Sequence, residues 1–458
     1  MAKSRDNFLS RFWRSIFRGP VYPGTDKERK WPPFENLILH LHPRTVPAQT
    51  LKFTLTWGLG GMSVVLVLLL VLTGILLLFV YTPSPDKAYD SILTLQNDIL
   101  FGQLIRNIHH WSGNILLIVA FLHLLRVFFT GAFYGIRQFN WIIGLLLFVC
   151  VLISNFTGYL LPWDQLAFWA ITICTSMFEY IPGIGVWLQR MIRGGSEIGH
   201  PTLLIFFTVH TTVIPVCLVM LMPFHFWRIR KAGGVVIPDS PAEENDDKPT
   251  LVPTIPNLVI REIVVALVLI AFILVYSIGF NAPLEARANP GLSPNPTKAP
   301  WYFLGVQEML VHFHPFFAVF IIPGIIAGAL ILLPYLKYDS TVSGVWFYSE
   351  RGRRMGIAAA ATSLIITPIG IIADEFIIDF VSWLPGISPP IVNGLIPVAL
   401  LLAAVIGFYI LMKNKYNASN NETIQALFIL LVVSFVILTI TGIWFRGEGM
   451  SLMWPWKI

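Results

Sequence analysis

Charge is the scarcest property of this 458-residue sequence: only 12% of the residues are charged, whereas 55% are hydrophobic. The mean hydropathy of +0.71 excludes a soluble globular domain of ordinary composition. Cysteine is also scarce. The three cysteines, Cys150, Cys174 and Cys217, lie in or near apolar segments. Without CxxC pairs, the sequence predicts no disulfide framework, no zinc site and no CxxCH motif for attaching a c-type haem.

The hydrophobic residues are concentrated in nine runs that are long enough to span a bilayer. These runs are residues 57–80, 106–130, 141–161, 203–225, 260–280, 316–336, 356–374, 391–412 and 425–446. The edges of the seventh and eighth runs are blurred by Pro368, Asp374 and the 380–392 linker. The sequence therefore predicts an all-α integral membrane protein with about nine transmembrane spans.

The N-terminal segment does not have the pattern of a cleavable signal peptide, because Met1 to Gly19 are basic and amphipathic. This pattern predicts a helix lying on an anionic membrane surface, with a disordered basic tail as the alternative. In a nine-span topology, most of the 31 lysines and arginines lie on the same side of the membrane as the N-terminus. The positive charges therefore predict a cytoplasmic N-terminus, and the net charge of +6 does not indicate nucleic-acid binding. The expected location is a bacterial cytoplasmic membrane.

Histidines lie inside two of the predicted spans, where an apolar segment should not carry them. His109 and His123 are fourteen residues apart, so both side chains leave one helix face about 21 Å apart along the axis. His210 and His225 repeat this pattern in the fourth span at a spacing of fifteen. Two such helices can bind two stacked b-type haems through neutral imidazoles. His110 points about 100° away from His109 and is not expected to be a ligand.

A lone histidine inside a membrane is more often a packing residue or a proton relay than a metal ligand. The glycines favour haem binding here, because a planar macrocycle between helices needs neighbours without side chains at its level. The glycine pairs, each fourteen residues apart in the first and third spans, are Gly60 with Gly74 and Gly144 with Gly158. Alone, such glycines more often mark close helix packing, but together with the histidine spacing they predict a four-helix diheme bundle.

The sequence resembles the Rieske/cytochrome b family of quinol-oxidising complexes over about residues 40–340, most strongly over 57–231. The motifs that carry the resemblance are the glycine and histidine pairs, GQLIRNIH, FLHLLR and GYLLPWDQLAFWA. The fifteen-residue histidine spacing, PWDQ and the HFWRIRKAGG ending are similar to the plastid-type branch. That branch splits the polypeptide after the fourth helix, whereas both halves are one chain here.

The resemblance implies two non-covalent b-type haems, an outer one and an inner one, with quinol oxidised at an outer pocket. The implied haem ligands are His109 with His210 and His123 with His225. It also implies that Arg106 and Arg126 lie near the haem propionates, where a guanidinium offsets carboxylate charge; interfacial snorkelling is compatible with that contact. An inner quinone pocket is expected near Trp227, Arg228, Lys231 and Arg261.

Three departures from the family pattern have consequences for the expected cofactors and chemistry. Gly58 occupies the position of the cysteine that anchors an extra c-type haem in the plastid-type branch, so no covalent haem is expected. Ile205 replaces an arginine that precedes the first histidine of the fourth helix. Pro300 replaces the glutamate of the family's Pro-Glu-Trp-Tyr signature, which reads Ala299-Pro300-Trp301-Tyr302 here.

A proton acceptor is still needed if quinol is oxidised beside Trp301. Glu308 is the first candidate, with Tyr302 and Asp164 as weaker ones, although an ordinary interfacial carboxylate is an equally good interpretation of Glu308. Variants of the signature accompany low-potential quinones in the family, which favours menaquinol. For His312 and His314, interfacial packing is the favoured role.

The resemblance implies that the chain is a quinol oxidoreductase subunit that translocates protons within its complex. The implied partners are a Rieske iron–sulfur protein, a c-type cytochrome or other acceptor, quinone, membrane lipid and a second copy of the complex. One alternative is a diheme, quinone-reactive anchor of another oxidoreductase without electron bifurcation. A haem-free transporter is the other, and the paired histidines and glycines oppose it.

These inferences divide the chain into five parts. They are a cytoplasmic amphipathic segment (1–52), the diheme four-helix domain (53–230), a cytoplasmic linker (231–259), a C-terminal cytochrome b unit with the outer quinol loop (260–340) and additional transmembrane helices (341–458).

The glycine at position 58 leads to a direct test. We expect haem staining of the denatured chain on an electrophoresis gel to show no signal, because Gly58 cannot form a thioether. The matched control is the Gly58→Cys variant, which restores the family thiol. A haem signal that stays with the denatured wild-type chain would contradict the prediction.

Overall fold

A computed structural model describes residues 42–238, 250–339 and 343–457. Within these ranges, nine helices are long and apolar enough to cross a membrane. They are Leu59–Leu78, Gly102–Phe129, Gly135–Leu160, His200–Lys231, Thr254–Gly279, Phe317–Tyr335, Glu350–Phe376, Ile391–Tyr416 and Asn420–Trp444. The predicted all-α membrane architecture is confirmed. The predicted surface helix at residues 1–19 and the acidic part of the linker lie outside the described residues.

Each predicted span overlaps an observed helix, and the differences lie at the ends. The fourth span begins at His200, where Pro201 occupies the first turn and its missing N–H costs no hydrogen bond. It ends at Lys231 in a basic last turn, which the helix dipole favours. The seventh span continues through Pro368, because neighbouring helices in a membrane protein can compensate the lost backbone hydrogen bond.

The first five spans share one apolar core. The first span packs along the second and the third along the fourth, while the fifth packs against the first two. Leu66, Leu116, Val151 and Ile273 belong to the same buried cluster, so four of the five spans contribute to it directly. Many other apolar side chains of the spans are exposed, as expected for helices surrounded by lipid.

Short helices occupy the loops at one end of the bundle, which we call the outer end after the orientation predicted from the charges. They are Ala88–Asn97, Gln165–Ser176, Gly185–Arg193, Leu304–His312 and Phe380–Trp383. Two of them, Gln165–Ser176 and Gly185–Arg193, form the segment between the third and fourth spans.

The opposite, inner end carries a two-stranded sheet. Strand β1 (Thr45–Pro47) pairs antiparallel with strand β2 (Leu251–Pro253), and Val46 is opposite Val252. The backbone N–H of Ala48 also donates to the Thr250 carbonyl at 2.9 Å. The sheet therefore ties the segment before the first span to the start of the fifth span.

The last three spans are joined to one another by polar contacts as well as apolar packing. Between the seventh and ninth spans, Ser363 Oγ donates to the Leu430 carbonyl at 2.8 Å and Thr367 Oγ1 donates to Ser434 Oγ at 2.9 Å. At the inner end of the same pair, Arg351 Nε lies 3.0 Å from the buried Glu422 carboxylate. The ninth span also packs along the outer helix Leu304–His312.

Asn107 joins the second span to the end of the fifth. Its side-chain amide donates to the Ser277 carbonyl at 2.9 Å, and its Oδ1 accepts from the Ala282 N–H at 2.8 Å. Asn107 is buried, so these bonds satisfy backbone groups that water does not reach. This contact links the four-helix bundle to the following part of the chain.

We expect Asn107→Leu to lower the free energy of unfolding by about 1–3 kcal/mol, because it leaves two buried backbone groups without partners. The midpoint of thermal unfolding of the purified protein measures the change. The matched control is Asn257→Leu, at a partly exposed asparagine whose side chain donates to the Pro253 carbonyl. Equal losses in the two variants would contradict the role of Asn107.

Candidate functional site

The structure brings the histidines of the second and fourth spans together. The ring centroids of His109 and His210 are 6.1 Å apart, and the two rings are inclined by 69°. Two imidazoles that hold one metal through bonds of about 2 Å have centroids about 6 Å apart. His123 and His225 line one cavity near the inner end. Each pair thus joins one histidine from each helix.

A local distortion of the fourth span explains its longer histidine spacing. Val209–Val213, which include His210, form a π-helical turn. A π turn holds more residues than an α turn, so it takes up one additional residue between His210 and His225. The fifteen-residue spacing therefore matches the fourteen-residue spacing of the second span. The sequence shows the extra residue but not the turn that takes it up.

Each of the four predicted glycines faces one of the four histidines. The pairs, with the distance from an added glycine Cβ to the histidine Cε1, are Gly74 with His109 (3.3 Å), Gly158 with His210 (2.6 Å), Gly60 with His123 (3.6 Å) and Gly144 with His225 (3.7 Å). A side chain at Gly158 would collide with the imidazole, and the other three positions lie within contact distance. The glycines therefore leave room around the histidines at two levels.

Hydrogen bonds fix the orientation of the outer histidines. His210 Nδ1 donates to the Ser154 carbonyl at 2.9 Å. His109 Nδ1 donates to Thr73 Oγ1 at 2.9 Å, since the Thr73 hydroxyl proton is donated to the Leu69 carbonyl. With the proton on Nδ1, Nε2 of each ring carries a free lone pair, which is the form that binds a metal.

The inner level opens into a cavity of about 1600 Å³. This volume exceeds that of a usual small-molecule site, which is about 300–1000 Å³. The residues that line it near the histidines include Gly60, Gly144 and Arg126. Arg126 Nε donates to the Leu55 carbonyl at 2.8 Å, whereas its buried Nη2 has no partner among the described residues. An anionic group in the cavity would satisfy this nitrogen.

These residues fit b-type haem on chemical grounds. Two neutral imidazoles per level, small residues facing them and a free guanidinium nitrogen match two axial ligands, a flat macrocycle and a propionate. Arg106 is engaged differently from Arg126, because its Nη1 and Nη2 donate to the carbonyls of Ala282 and Pro283 at 2.8 and 2.6 Å.

The basic residues that line the inner cavity differ in part from those expected. Arg261 does line it, together with His42, Arg137 and Arg230, which sequence reasoning did not single out. Arg228 instead donates to the Ile136 carbonyl at 3.2 Å, and Lys231 lies over the Trp227 ring. Residues two positions apart in a helix point about 200° apart, so the choice between Arg228 and Arg230 depends on the rotation of the helix, which the spacing alone does not give.

Asp164 of the PWDQ motif holds the two outer loops together. Its Oδ1 caps the helix Gln165–Ser176 by accepting from the Ala167 N–H at 2.9 Å. Its Oδ2 accepts from the Glu285 N–H at 3.2 Å in the loop after the fifth span. Burial raises the pKa of the Asp164 carboxyl, although these backbone hydrogen bonds oppose the shift. The carboxylate therefore serves both loops at once.

Trp301 and Tyr302 lie beside the second span and the shared core. Trp301 is 38% exposed, and its Nε1 donates to Asn114 Oδ1 at 2.6 Å. Asn114 also bonds to His110, which gives that histidine a partner outside the metal-ligand pairs. The Tyr302 hydroxyl is buried and has no partner among the described residues. Burial raises the pKa of Tyr302, so the phenol keeps its proton.

Glu308 lies in a buried ion pair on the other face of the outer helix. It is 0% exposed, and its Oε1 lies 2.6 Å from Arg446 Nη2 and 3.3 Å from His312 Nε2. Burial raises the pKa of Glu308, but the hydrogen bonds from His312 and Arg446 outweigh it and lower the pKa overall. The pKa of His312 is raised to about 9 by Asp374 and Glu308 despite its own burial. Glu308 is therefore a charged, weakly basic group at neutral pH.

The fold and paired sites define a multi-span electron-transfer protein of the haem-binding type, and comparison with known proteins gives the family. The model of the cytochrome b/b6/petB family matches residues 46–233. Cytochrome b6 of Heliomicrobium gestii is 35% identical over 206 residues, which are 45% of this chain and 96% of that protein. The chain belongs to the cytochrome b/b6 family.

Other relatives extend the likeness to respiratory proteins. The "menaquinol:cytochrome c reductase cytochrome b subunit" of Geobacillus thermodenitrificans is 39% identical over 175 residues, 38% of this chain and 78% of that subunit. A chain of the solved "hyperthermophilic respiratory Complex III" has the same fold, with a TM-score of 0.63 at 21% identity, over 90% of this chain and 95% of that one. The chain is thus similar to a cytochrome b subunit of a quinol-oxidising complex, and its family is one with b-type haem and quinone interaction.

The unequal distances at the four glycines generate a prediction. We expect Gly158→Ala to displace His210 and lower the haem content of the purified protein, because the new Cβ would lie 2.6 Å from Cε1. The matched control is Gly60→Ala, where the corresponding distance of 3.6 Å is an ordinary contact. Haem content by the pyridine haemochrome assay measures both. Full haem content in Gly158→Ala would contradict the prediction.

Proposed function

We propose that the chain is the diheme cytochrome b subunit that oxidises menaquinol near the outer end and passes electrons across the membrane with proton translocation. The observation that carries this proposal is the pair of histidine levels, each faced by two glycines. Haem, when bound, supplies a one-electron Fe(III)/Fe(II) couple at each level. The protein's own part is to hold the levels apart and to exclude water.

The four histidines are proposed as the axial ligands of two non-covalent haems. His109 and His210 form the outer set, and His123 and His225 the inner set. Arg126 is proposed to bind a propionate of the inner group through its free Nη2, because a buried unpaired guanidinium nitrogen is costly without an anion. Arg106 stabilises the outer level less directly, by fixing the backbone of residues 282–283.

The three residues expected to handle protons at the outer pocket are not equally suited to that role. Tyr302 is placed to donate a hydrogen bond from its unpaired hydroxyl to a quinol oxygen, and Trp301 bounds the pocket. Asp164 is the candidate acceptor, because it is a buried carboxyl that contacts both outer loops and burial raises its pKa. Glu308 is a poor direct acceptor, since its ion pair with Arg446 favours the ionised form.

At the inner end, we propose that quinone is reduced in the large cavity beside the inner histidines. The cavity carries the basic side chains of Arg137, Arg230 and Arg261 and the His42–Glu262 pair, whose atoms are 3.1 Å apart. These groups can stabilise the negative charge that develops on a quinone oxygen and supply protons. Arg228 and Lys231, next to the cavity in sequence, are proposed to act at its rim.

The proposed partners follow from the proposed role in quinol oxidation. A Rieske iron–sulfur protein accepts one electron of each quinol, and a c-type cytochrome or another carrier accepts it in turn. The complex is proposed to be a homodimer in the bacterial cytoplasmic membrane with the N-terminus in the cytoplasm, as the positive charges favour. Lipid covers the outward apolar faces of the spans.

A second candidate is a diheme quinone-reactive anchor that does not bifurcate electrons. Pro300 favours it, because this residue replaces the carboxylate expected to carry a quinol proton. Reduction kinetics separate the two candidates. With the Rieske partner removed, the haems of a bifurcating subunit are reduced by quinol only through the inner site, so an inner-site inhibitor stops their reduction. The haems of a non-bifurcating anchor continue to be reduced when the inhibitor is present.

The ligand assignment is tested by single substitutions in the complete complex. We expect His109→Leu and His123→Leu each to remove one of two haems per chain, because each level loses an axial imidazole. The matched control is His110→Leu, whose side chain bonds to Asn114 and should leave the haem content unchanged. The pyridine haemochrome assay measures the number of haems per chain. Reduction of the haems by dimethylnaphthoquinol is measured separately. Two haems in either ligand variant, or none in the wild type, would contradict the proposal.

A further inference from the structure

The end of the ninth span contacts the loop that carries Trp301 and Tyr302. We call residues 289–312 the outer-loop segment. Lys298 Nζ donates to the Ile443 carbonyl at 2.9 Å, and the Gly449 N–H donates to Asn295 Oδ1 at 2.7 Å. These contacts lie on either side of Arg446 in sequence. They join the outer-loop segment to a part of the chain that the family model does not cover.

The helix Leu304–His312 is packed against the ninth span at very short range. A Cβ added to Gly305 would lie 2.7 Å from both Phe435 Cε2 and Thr439 Oγ1. A Cβ added to Gly442 would lie 3.1 Å from Leu304 Cβ. Glycine is needed on both helices for this approach. Both helices therefore have a glycine where their backbones approach closely, so the contact is specific.

Arg446 is the centre of this contact. It is 0% exposed and binds Glu308 of the outer-loop segment through Nε, at 3.0 and 3.1 Å, and through Nη2, at 2.6 Å. Its Nη1 binds Glu375 of the seventh span at 2.8 Å and the Met450 carbonyl at 2.9 Å. One guanidinium thus joins the outer-loop segment, the seventh span and the C-terminal tail.

Arg446 belongs to a larger network of charged side chains. His312 lies between Glu308, at 3.3 Å, and Asp374 of the seventh span, at 2.6 Å. Three carboxylates therefore share two cations in one network, in which Glu308 and Arg446 are buried and Asp374 and Glu375 are partly exposed. Breaking a buried ion pair by removing one partner leaves an uncompensated charge away from water, which forces the surrounding groups to move. The position of Glu308 thus depends on Arg446.

The helix Leu304–His312 connects Glu308 to the residues that bound the proposed quinol pocket. Gln307, next to Glu308, accepts from the Ala299 N–H at 2.7 Å and donates to the Thr297 carbonyl at 2.7 Å. These bonds hold the backbone immediately before Pro300 and Trp301. A displacement of the helix would therefore displace the residues that bound the pocket.

We propose that Arg446 is a positioning residue for the outer quinol pocket, and that the seventh and ninth spans hold the outer-loop segment through the pair of Arg446 with Glu308. This assigns a role to a region for which the sequence showed no chemistry. The inference rests on the proposed function, because it takes the pocket beside Trp301 and Tyr302 as the site of quinol oxidation.

The test compares Arg446→Met, Arg446→Lys and wild type in the complete purified complex. We expect Arg446→Met to lower kcat/KM for dimethylnaphthoquinol by about 100-fold, mainly through KM, because small displacements of a binding loop have effects of this size. Hydrogen exchange of backbone amides in residues 289–303 should accelerate. Arg446→Lys keeps the charge and should recover part of both changes.

The matched control is Arg351→Met, at the opposite end of the same two spans. Arg351 also pairs with a buried carboxylate, Glu422, which is 1% exposed. This variant should lose thermal stability while keeping the KM and the exchange of residues 289–303. Were Arg446→Met to behave in the same way, Arg446 would be an ordinary stabilising residue and the inference would be overturned.

Two further arms keep the result interpretable. If Arg446→Met does not assemble, Lys298→Met removes another contact between the loop and the ninth span without exposing a buried charge, and must show the same exchange change at smaller size. If wild-type complex does not oxidise quinol, the proposed function fails. The exchange comparison then still decides whether Arg446 holds the loop, and unchanged exchange in residues 289–303 overturns that.

Discussion

A polar side chain inside a bilayer must find a partner within the protein, and this constraint explains the arrangement of the first four spans. Four of the imidazoles in the second and fourth spans form two pairs at different depths. Thr73 and the Ser154 carbonyl satisfy one nitrogen of each outer ring and leave the other for a metal. The glycines of the first and third spans, and the π turn at His210, bring the rings into register at both levels.

The same constraint governs the C-terminal spans, where the buried charges satisfy one another without a cofactor. Arg446, Glu308, His312, Asp374 and Glu375 form one hydrogen-bonded cluster in which each ion contacts an opposite charge. The cluster joins spans that carry no metal ligands to the loop that bounds the proposed quinol pocket. The paired histidines and this cluster therefore meet at the outer end, where Asp164 connects two loops and Gln307 holds the backbone within the outer-loop segment.

The sequence was sufficient for the nine spans, the histidine pairs and the facing glycines, because span length and helical periodicity are local properties of the chain. Contacts between distant segments were not accessible in this way. The charge of Glu308 was visible, but its partner Arg446 is 138 residues away and faces it only after the last span has folded back. One signal pointed to Arg446: an arginine directly follows the apolar run that ends the chain's last span. The choice of Arg230 over Arg228 at the inner cavity depends on helix rotation, which residue spacing near a helix end does not determine.

The central claim is that each histidine level holds one haem between two imidazoles. Low-temperature electron paramagnetic resonance of the oxidised, purified complex tests it most directly, because two axial imidazoles make ferric haem low-spin. The account predicts two distinct low-spin ferric haem signals from this chain. A single low-spin signal, or a high-spin ferric signal as the main species in intact protein, would contradict it.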